Sequence, residues 1–383
     1  MIKFIKILII VFFSSITFVQ AGPNIKARTA ILIDYQSGKT LYELQPDHSI
    51  HPASMTKIMT TIVVFDLLVQ EKISLDDKVT ISEKAWRMSQ AGYSSMFIMV
   101  NDEISVENLL RGIIVASGND ACVALAEGIA GTEEDFVTLM NEKAQEIGMT
   151  STNFANTSGI NNPDNYSTVR DIALMSKYLI KNYPYYYEYF KETEFTWERT
   201  GGEPITQGNR NTLLYKNIGV DGIKTGHLAV EQYSLASSMQ KKTRRLIAVG
   251  SGFKTNSLRA SQSRKLLSWG FSNTETFELS KKNETLFDVK IWLGKNKTIS
   301  GYTKEDFYIT IEKKDLRNFN TFIEYTGPIK APIDKDQEVA FIKAYDKDVL
   351  LKSVPVYAVK NEKKINFLLS LLTSFNYMIW GDA

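Results

Sequence analysis

The feature that most limits how this chain can fold is where its strand-forming runs fall. Apolar stretches at residues 29–35 and 40–44 flank a Gln36-Ser37-Gly38-Lys39 turn and read as a hairpin. Strand signals return near residues 220–224, 233–238 and 246–249. Between these two sets helical spacing dominates, at residues 55–70, 104–115, 120–129 and 133–147. Strands at both ends with helices in the middle predict one sheet that closes late, with a helical cluster inserted and a further helix ending near Trp269. Over residues 276–359 the pattern changes to short alternating runs, such as 307–311 and 339–342, separated by turn residues at 281–283, 327–328 and 334–336. That stretch reads as a small all-β domain. The expected architecture is therefore a two-domain α/β (α+β) protein, with a mixed domain over residues 22–275 followed by the β-rich one.

Both ends carry apolar segments. Lys3 and Lys6 precede an apolar run at residues 7–13, and Val19-Gln20-Ala21 supplies a small-residue cleavage pattern before Gly22, so residues 1–21 read as a secretory signal peptide. Near the other end, Ile365, Leu368, Leu369, Leu372, Phe375 and Ile379 recur at helical spacing, with Asn366, Ser370, Thr373 and Ser374 opposite. The segment follows Lys363 and Lys364 and reaches Trp380, so residues 360–383 read as an amphipathic helix that lies on a membrane without crossing it. A helix docked on its own domain would carry the same pattern.

Composition narrows the chemistry. With 383 residues, 44% of them hydrophobic, the chain can bury a large core. It has 45 Lys and Arg against 43 Asp and Glu, and two of the cations lie in the leader, so the remainder is formally neutral. A generally basic nucleic-acid binder is excluded. The single cysteine, Cys122, can form no intrachain disulfide, and a Cys-rich zinc site is excluded too. Only His48, His51 and His227 could support histidine chemistry, and no metal or cofactor is expected.

Ser54-Met55-Thr56-Lys57 follows Pro52 and opens the first long helical stretch. Residues three apart on a helix are neighbours, with Cβ atoms about 5–6 Å apart, so the Lys57 amine can reach the Ser54 hydroxyl. Such a pair can replace a serine–histidine arrangement when burial and a second cation hold the lysine neutral enough to accept a proton. Alone the pattern is weak, because Ser238-Met239-Gln240-Lys241 repeats it. Ser117-Gly118-Asn119 lies between two helical stretches, where a turn can aim a hydroxyl and an amide into a cleft, although Ser151-Thr152-Asn153 and Ser374-Phe375-Asn376 share its pattern. Lys224-Thr225-Gly226 occurs once and ends a strand-like run, where Gly226 lets a substrate backbone approach closely. The order of the three, each on a suitable element, makes the set specific.

That ordered set resembles the S-x-x-K, S-D-N and K-T-G motifs of the penicillin-recognising serine hydrolases. Asp34-Tyr35-Gln36-Ser37-Gly38-Lys39, Pro52-Ala53-Ser54-Met55-Thr56-Lys57, Ser117-Gly118-Asn119-Asp120-Ala121-Cys122, Tyr166-Ser167-Thr168-Val169-Arg170-Asp171 and Val220-Asp221-Gly222-Ile223-Lys224-Thr225-Gly226 are similar to the low-molecular-mass penicillin-binding D-alanyl-D-alanine carboxypeptidases. The resemblance covers residues 30–271, and the β-rich domain and tail repeat that family's organisation.

The resemblance implies a penicillin-binding transpeptidase/β-lactamase-like sheet with a helical cluster over residues 22–275, a small β-rich domain and a membrane-anchoring tail. It implies a serine peptidase that removes the last D-alanine from peptidoglycan stem pentapeptides through an acyl-enzyme on Ser54, with Lys57 as base. Ser117 and Asn119 would position the substrate and pass a proton to the leaving amine. Lys224, Thr225 and Gly226 would receive the terminal carboxylate, with Arg210 and Arg259 nearby. The oxyanion hole would use the backbone N–H groups of Ser54 and His227. Lys224 is expected to depress the pKa of Lys57 by like-charge repulsion. The implied partners are the stem peptide, β-lactams and the inner-membrane surface, in a periplasmic location. Where the family commonly has small or hydroxylated residues after K-T-G, this chain has Leu228, Glu231 and Gln232, which bears on substrate preference and turnover. A D,D-endopeptidase that cuts cross-links and a wall-binding scaffold with little activity are the alternatives. A β-lactamase would need a deacylating carboxylate, and none stands out between Asn119 and Lys224. Cys122 is expected to be a buried packing residue.

Overall fold

A computed structural model describes residues 22–380, so the leader expected over residues 1–21 lies outside the described residues. Strand β1 (Thr29–Asp34) is buried along its whole length, and β2 (Thr40–Leu44) turns back on it. The turn passes through Gly38 at φ 73°, a left-handed conformation that costs glycine nothing. A 3-10 turn (Ala53–Thr56) leads into α1 (Lys57–Val69), whose apolar residues are spread around the helix and which is buried along nearly all its length. Next come β3 (Lys78–Thr80), α2 (Glu83–Gln90), β4 (Glu103–Ser105) and α3 (Val106–Arg111), and then a π-helical turn (Gly112–Ala116) that enters α4 (Asn119–Ala130). Helices α5 (Glu133–Ile147) and α6 (Val169–Asn182) complete the cluster, capped by the hydroxyls of Thr132 and Thr168. A short hairpin, β5 (Glu194–Trp197) and β6 (Ile205–Gly208), precedes the long strands β7 (Val220–Leu228), β8 (Gln232–Lys241) and β9 (Arg244–Phe253), followed by α7 (Asn256–Asn273).

The main sheet has the order β2-β1-β9-β8-β7, with every neighbour antiparallel. Strand β1 pairs with β9 from Thr29 opposite Ser251 to Asp34 opposite Leu246, so the sheet does close late. Both of its faces are covered. Ile31, Ile33, Ile247 and Val249 pack into the helical cluster, whereas Ala30, Leu32, Leu246 and Ala248 pack against Leu266 and Leu267 of α7. Two-sided burial is why β1 and β9 read as near-continuous apolar runs. Helices α2 and α6 lie outside the stretches expected to be helical. Helix α2 buries only Ala85 and Ser89 and carries a weak stripe, but α6 has a full one through Val169, Ile172, Met175 and Leu179.

The second domain holds β10 (Thr274–Ser280), β11 (Thr285–Trp292), β12 (Thr298–Tyr302), β13 (Phe307–Glu312), β14 (Phe319–Glu324), β15 (Ile329–Lys330), β16 (Glu338–Asp346) and β17 (Val349–Ala358). Strand β10 pairs with β13, and the other six form a sheet ordered β14-β16-β17-β12-β11-β15. Their core, with Val289, Ile299, Phe307 and Val356, is separate from those of the first domain. The β1–β2 turn joins the two domains. The Ser37 hydroxyl lies 2.6 Å from that of Thr310, and Lys39 donates to the Thr310 carbonyl. Buried Asp34 accepts from Arg244 at 2.9 Å and from the Thr276 hydroxyl at 2.6 Å.

Past the β-domain, Glu362 fastens the chain, exchanging backbone hydrogen bonds with Ile333 and accepting from Asn296. Helix α8 (Phe367–Trp380) follows. Leu368, Leu369, Leu372, Phe375 and Ile379 are exposed, as are Phe367, Leu371 and Met378, so the apolar surface is wider than the single stripe the spacing suggests. Among the described residues no helix is long and apolar enough to cross a membrane.

Candidate active site

Three pieces of backbone converge beside the sheet edge: the 3-10 turn with Ser54, the junction between the π-helical turn and α4, and strand β7. Glycine sets how closely they meet. A Cβ on Gly226 would stand 2.3 Å from the Ser234 hydroxyl, 3.0 Å from the Ala53 Cβ and 3.1 Å from the Pro52 carbonyl oxygen, so β7 rests directly on the turn that carries Ser54. Left-handed backbone presents both serines: Ala53, just before Ser54, has φ 50°, and Ser117 itself has φ 63°. Non-glycine residues adopt this region uncommonly, and the surrounding packing has to hold them there.

The resulting cleft, about 490 Å³, is lined by Ser54, Ser117, Thr225, Gly226, His227, Arg210 and Arg259, together with Tyr93, Ser94, Thr212, Tyr233 and Asn256. Lys57, Asn119 and Lys224 are buried beside it. The Lys57 ammonium donates to the Ser54 hydroxyl at 3.1 Å, to Asn119 Oδ1 at 2.7 Å and to the Ser158 carbonyl at 2.6 Å. Burial inside α1, helped by the Arg210 charge, lowers its pKa to about 8. Burial first, and then the charges of Lys57 and Arg210, hold Lys224 well below the usual lysine range, so the two lysines repel one another. Arg210 donates to the Ser94 hydroxyl at 2.5 Å. Arg259, buried on α7, donates to the Arg210 carbonyl and to Asn256 Oδ1, and lies over the Tyr233 ring. The His227 ring packs against the same tyrosine, with centroids 4.3 Å apart.

The segment after the K-T-G differs in role from what the sequence suggests, whereas Cys122 is the packing residue expected. Leu228, Glu231 and Gln232 do not line the cleft. Glu231, in the β7–β8 turn, is buried and ion-paired with Arg28, and it accepts from the Ser251 hydroxyl at 2.6 Å and the His51 N–H at 3.1 Å. It anchors the N-terminal chain and the approach to Pro52. Cys122 is fully buried and donates to the Gly118 carbonyl, and burial pushes its thiol up to about 12, as suits a packing residue.

Sequence reasoning missed Asp120 and Ser158. Asp120, fully buried, accepts from the Met96 and Phe97 N–H groups at 2.8 and 2.9 Å and from the Ser89 and Ser95 hydroxyls at 2.8 and 2.7 Å. It thereby clamps the loop that carries Tyr93 and Ser94, and the Ser94 carbonyl accepts from the Asn119 N–H at 2.8 Å. Gly118 makes room for this, since a Cβ there would lie 2.8 Å from Asp120 Oδ1 and 3.0 Å from the Met96 nitrogen. An acid directly after Ser-Gly-Asn at a helix start was the available signal. Ser158 acts through its backbone carbonyl, so its residue type carries no signal.

Known proteins share this arrangement. The profile of the D-alanyl-D-alanine carboxypeptidase family matches residues 16–255, and that of the penicillin-binding protein 5 C-terminal domain matches residues 275–364. The chain is 39% identical over 351 residues to D-alanyl-D-alanine carboxypeptidase DacC of Escherichia coli (strain K12), covering 90% of this chain and 86% of that one. It is 40% identical over 320 residues to DacA of Haemophilus influenzae, covering 83% and 80%. Among solved structures, penicillin-binding protein 5 from Haemophilus influenzae aligns with a TM-score of 0.82 at 36% identity, covering 90% of this chain and 100% of that one. With its two domains matched in order and the motif residues gathered at one cleft, the chain belongs to the D-alanyl-D-alanine carboxypeptidase family of serine peptidases.

Proposed function

We propose that this chain removes the terminal D-alanine from peptidoglycan stem peptides, with Ser54 as nucleophile and Lys57 as its base. The observation that carries the assignment is the Lys57 amine, buried, lowered to about 8 and 3.1 Å from the Ser54 hydroxyl. Of three protons on the ammonium, two point to Asn119 and the Ser158 carbonyl. Loss of the third leaves a lone pair facing Ser54, so the hydroxyl becomes the donor and its oxygen attacks the carbonyl of the penultimate D-alanine. The developing oxyanion takes hydrogen bonds from the Ser54 and His227 N–H groups. Lys57 returns the proton it took from Ser54 to the leaving amine through the Ser117 hydroxyl, while Asn119 orients Lys57 and the substrate. Lys224, Thr225, Arg210 and Arg259 hold the terminal carboxylate, since a hydroxyl and several cations suit an anion. Water then releases the acyl group, and β-lactams acylate the same serine.

The catalytic unit is taken as residues 22–275, the β-domain as a spacer over residues 276–359 and the tail as an anchor over residues 360–383. A helix of 14 residues is about 21 Å long, short of the roughly 30 Å hydrocarbon core, so α8 lies in the interface of the inner membrane and holds the enzyme on its periplasmic face. The test is release of free D-alanine from a peptide ending in D-Ala-D-Ala. Release by the intact chain that disappears in Ser54→Ala is expected, and equal release by the variant would refute the assignment.

A further inference from the structure

Arg210 stands between two buried asparagines, Asn209 and Asn211, that reach in different directions. The Asn209 side-chain amide donates to the Glu192 carbonyl at 3.0 Å and its backbone N–H to the Thr193 carbonyl at 2.6 Å, which ties the segment to the chain just before β5. Its Oδ1 accepts from the Asn211 N–H at 3.0 Å, so the Arg210 backbone is braced from both sides. Asn211 is only 1% exposed and does not line the cleft. Its Nδ2 donates to the Gly222 carbonyl at 2.9 Å, and its Oδ1 accepts from the Leu213 N–H at 3.2 Å. Gly222 is buried on β7, the last strand of the main sheet and the one that carries Lys224 and Thr225. Among the described residues this is the one side-chain hydrogen bond that joins residues 209–213 to β7.

Both arginines of the cleft depend on that segment. Arg210 carries its guanidinium to the Ser94 hydroxyl, and its carbonyl accepts from Arg259 at 3.1 Å. The place of the Arg210 backbone relative to β7 therefore sets where two cations lie relative to Lys224 and Thr225. On the functional reading above these groups receive one carboxylate, and its two oxygens can meet donors from separate elements only if those elements keep a fixed spacing. A buried amide donating to a buried carbonyl is suited to hold it, because parting the two leaves both unpaired. We infer that Asn211 is a positioning residue that sets the spacing between the Arg210–Arg259 pair and the K-T-G strand, so that selectivity for a free terminal carboxylate depends on a side chain outside the cleft. This inference rests on the assignment of Ser54 and of the carboxylate end.

The test compares the full chain with its Asn211→Ala and Asn211→Ser variants on two substrates that share one acyl group: a peptide ending in D-Ala-D-Ala, and a thioester whose neutral leaving group bears no carboxylate. Serine keeps an oxygen for the Leu213 N–H, and with it the local turn, but is too short to reach Gly222, whereas alanine loses both contacts. In each variant kcat/KM for D-alanine release is expected to fall about tenfold, the effect of one hydrogen bond to a charged group, and the loss should be carried by KM because the carboxylate is held before the bond breaks. Thioester hydrolysis should match that of the unaltered chain, which also reports an intact fold. Equal losses on both substrates, a loss confined to kcat, a loss in the alanine variant alone, or no loss in either would overturn the positioning role while leaving the carboxypeptidase assignment standing. Absence of D-alanine release from the unaltered chain, or equal release by Ser54→Ala, would overturn both.

Discussion

At the residue scale the proposed mechanism depends on the charge of one lysine. Lys57 is useful as a base only when neutral, and burial places its titration near pH 8 instead of the ordinary 10.5. Below that value the ammonium dominates and the Ser54 proton has nowhere to go, so activity is lost as pH falls. The expected kcat/KM for D-alanine release therefore rises between pH 6 and 9 with a midpoint close to 8. A profile flat across that range would place the base elsewhere. Asp120 works at the same scale without touching substrate. Asp120→Asn replaces one acceptor oxygen with a donor facing N–H groups and hydroxyls that are already donors. A loss of about 2–4 kcal/mol in urea unfolding is expected, with a lower kcat/KM because Ser94 no longer holds Arg210 and Asn119 in register. Unchanged stability would show that the loop has other anchors.

At the element scale, the contact between β7 and the 3-10 turn sets the distance from Thr225 and Lys224, the proposed carboxylate end, to Ser54, the proposed nucleophile. In Gly226→Ala the new methyl meets the Pro52 carbonyl and the Ala53 Cβ, and these belong to a turn that cannot move without moving Ser54. Displacement of about 1 Å at a reacting centre costs on the order of 10²-fold in rate, and a loss of that order in the acylation of Ser54 by penicillin is expected. Wild-type acylation in the variant would mean that the strand and turn can separate freely. Helix α1 acts at this scale too: because it is buried along nearly all its length, Lys57 is desolvated by the same packing that stabilises the domain.

For the whole molecule, the junction orients the β-domain, and the anchoring proposed for the tail would set where the cleft works. Asp34 ends β1 and Ser37 and Lys39 follow in the turn of the first hairpin, yet their partners are Arg244, Thr276 and Thr310, so a motif near the start of the chain orients the second domain. Helix α8 is connected through Glu362, whose contacts with Asn296 and Ile333 belong to the β-domain. Truncation before residue 367 keeps those contacts and removes the exposed apolar helix. The truncated protein is expected to leave vesicles containing anionic lipid in a flotation assay while retaining D-alanine release. A truncated protein that still floats would place the membrane contact elsewhere.

Local pattern determined a good part of this protein. The first hairpin and most of the long helices and strands follow from spacing between near neighbours, and so does the approach of Lys57 to Ser54, because residues three apart stack on one side of the 3-10 turn that runs into α1. The late-closing sheet was also legible, since strand runs without alternation at both ends of the domain must be covered on two faces. Tertiary structure alone decided what depends on atoms remote in sequence. Lys57 owes its lowered pKa to burial and to Arg210, and its orientation to Asn119 and Ser158. Glu231 follows the K-T-G strand closely and reads as a residue of the cleft, but Arg28, His51 and Ser251 hold its side chain buried outside the cleft lining. The reason is physical: periodicity reports which residues point together, whereas desolvation and charge pairing depend on what the rest of the chain brings against them.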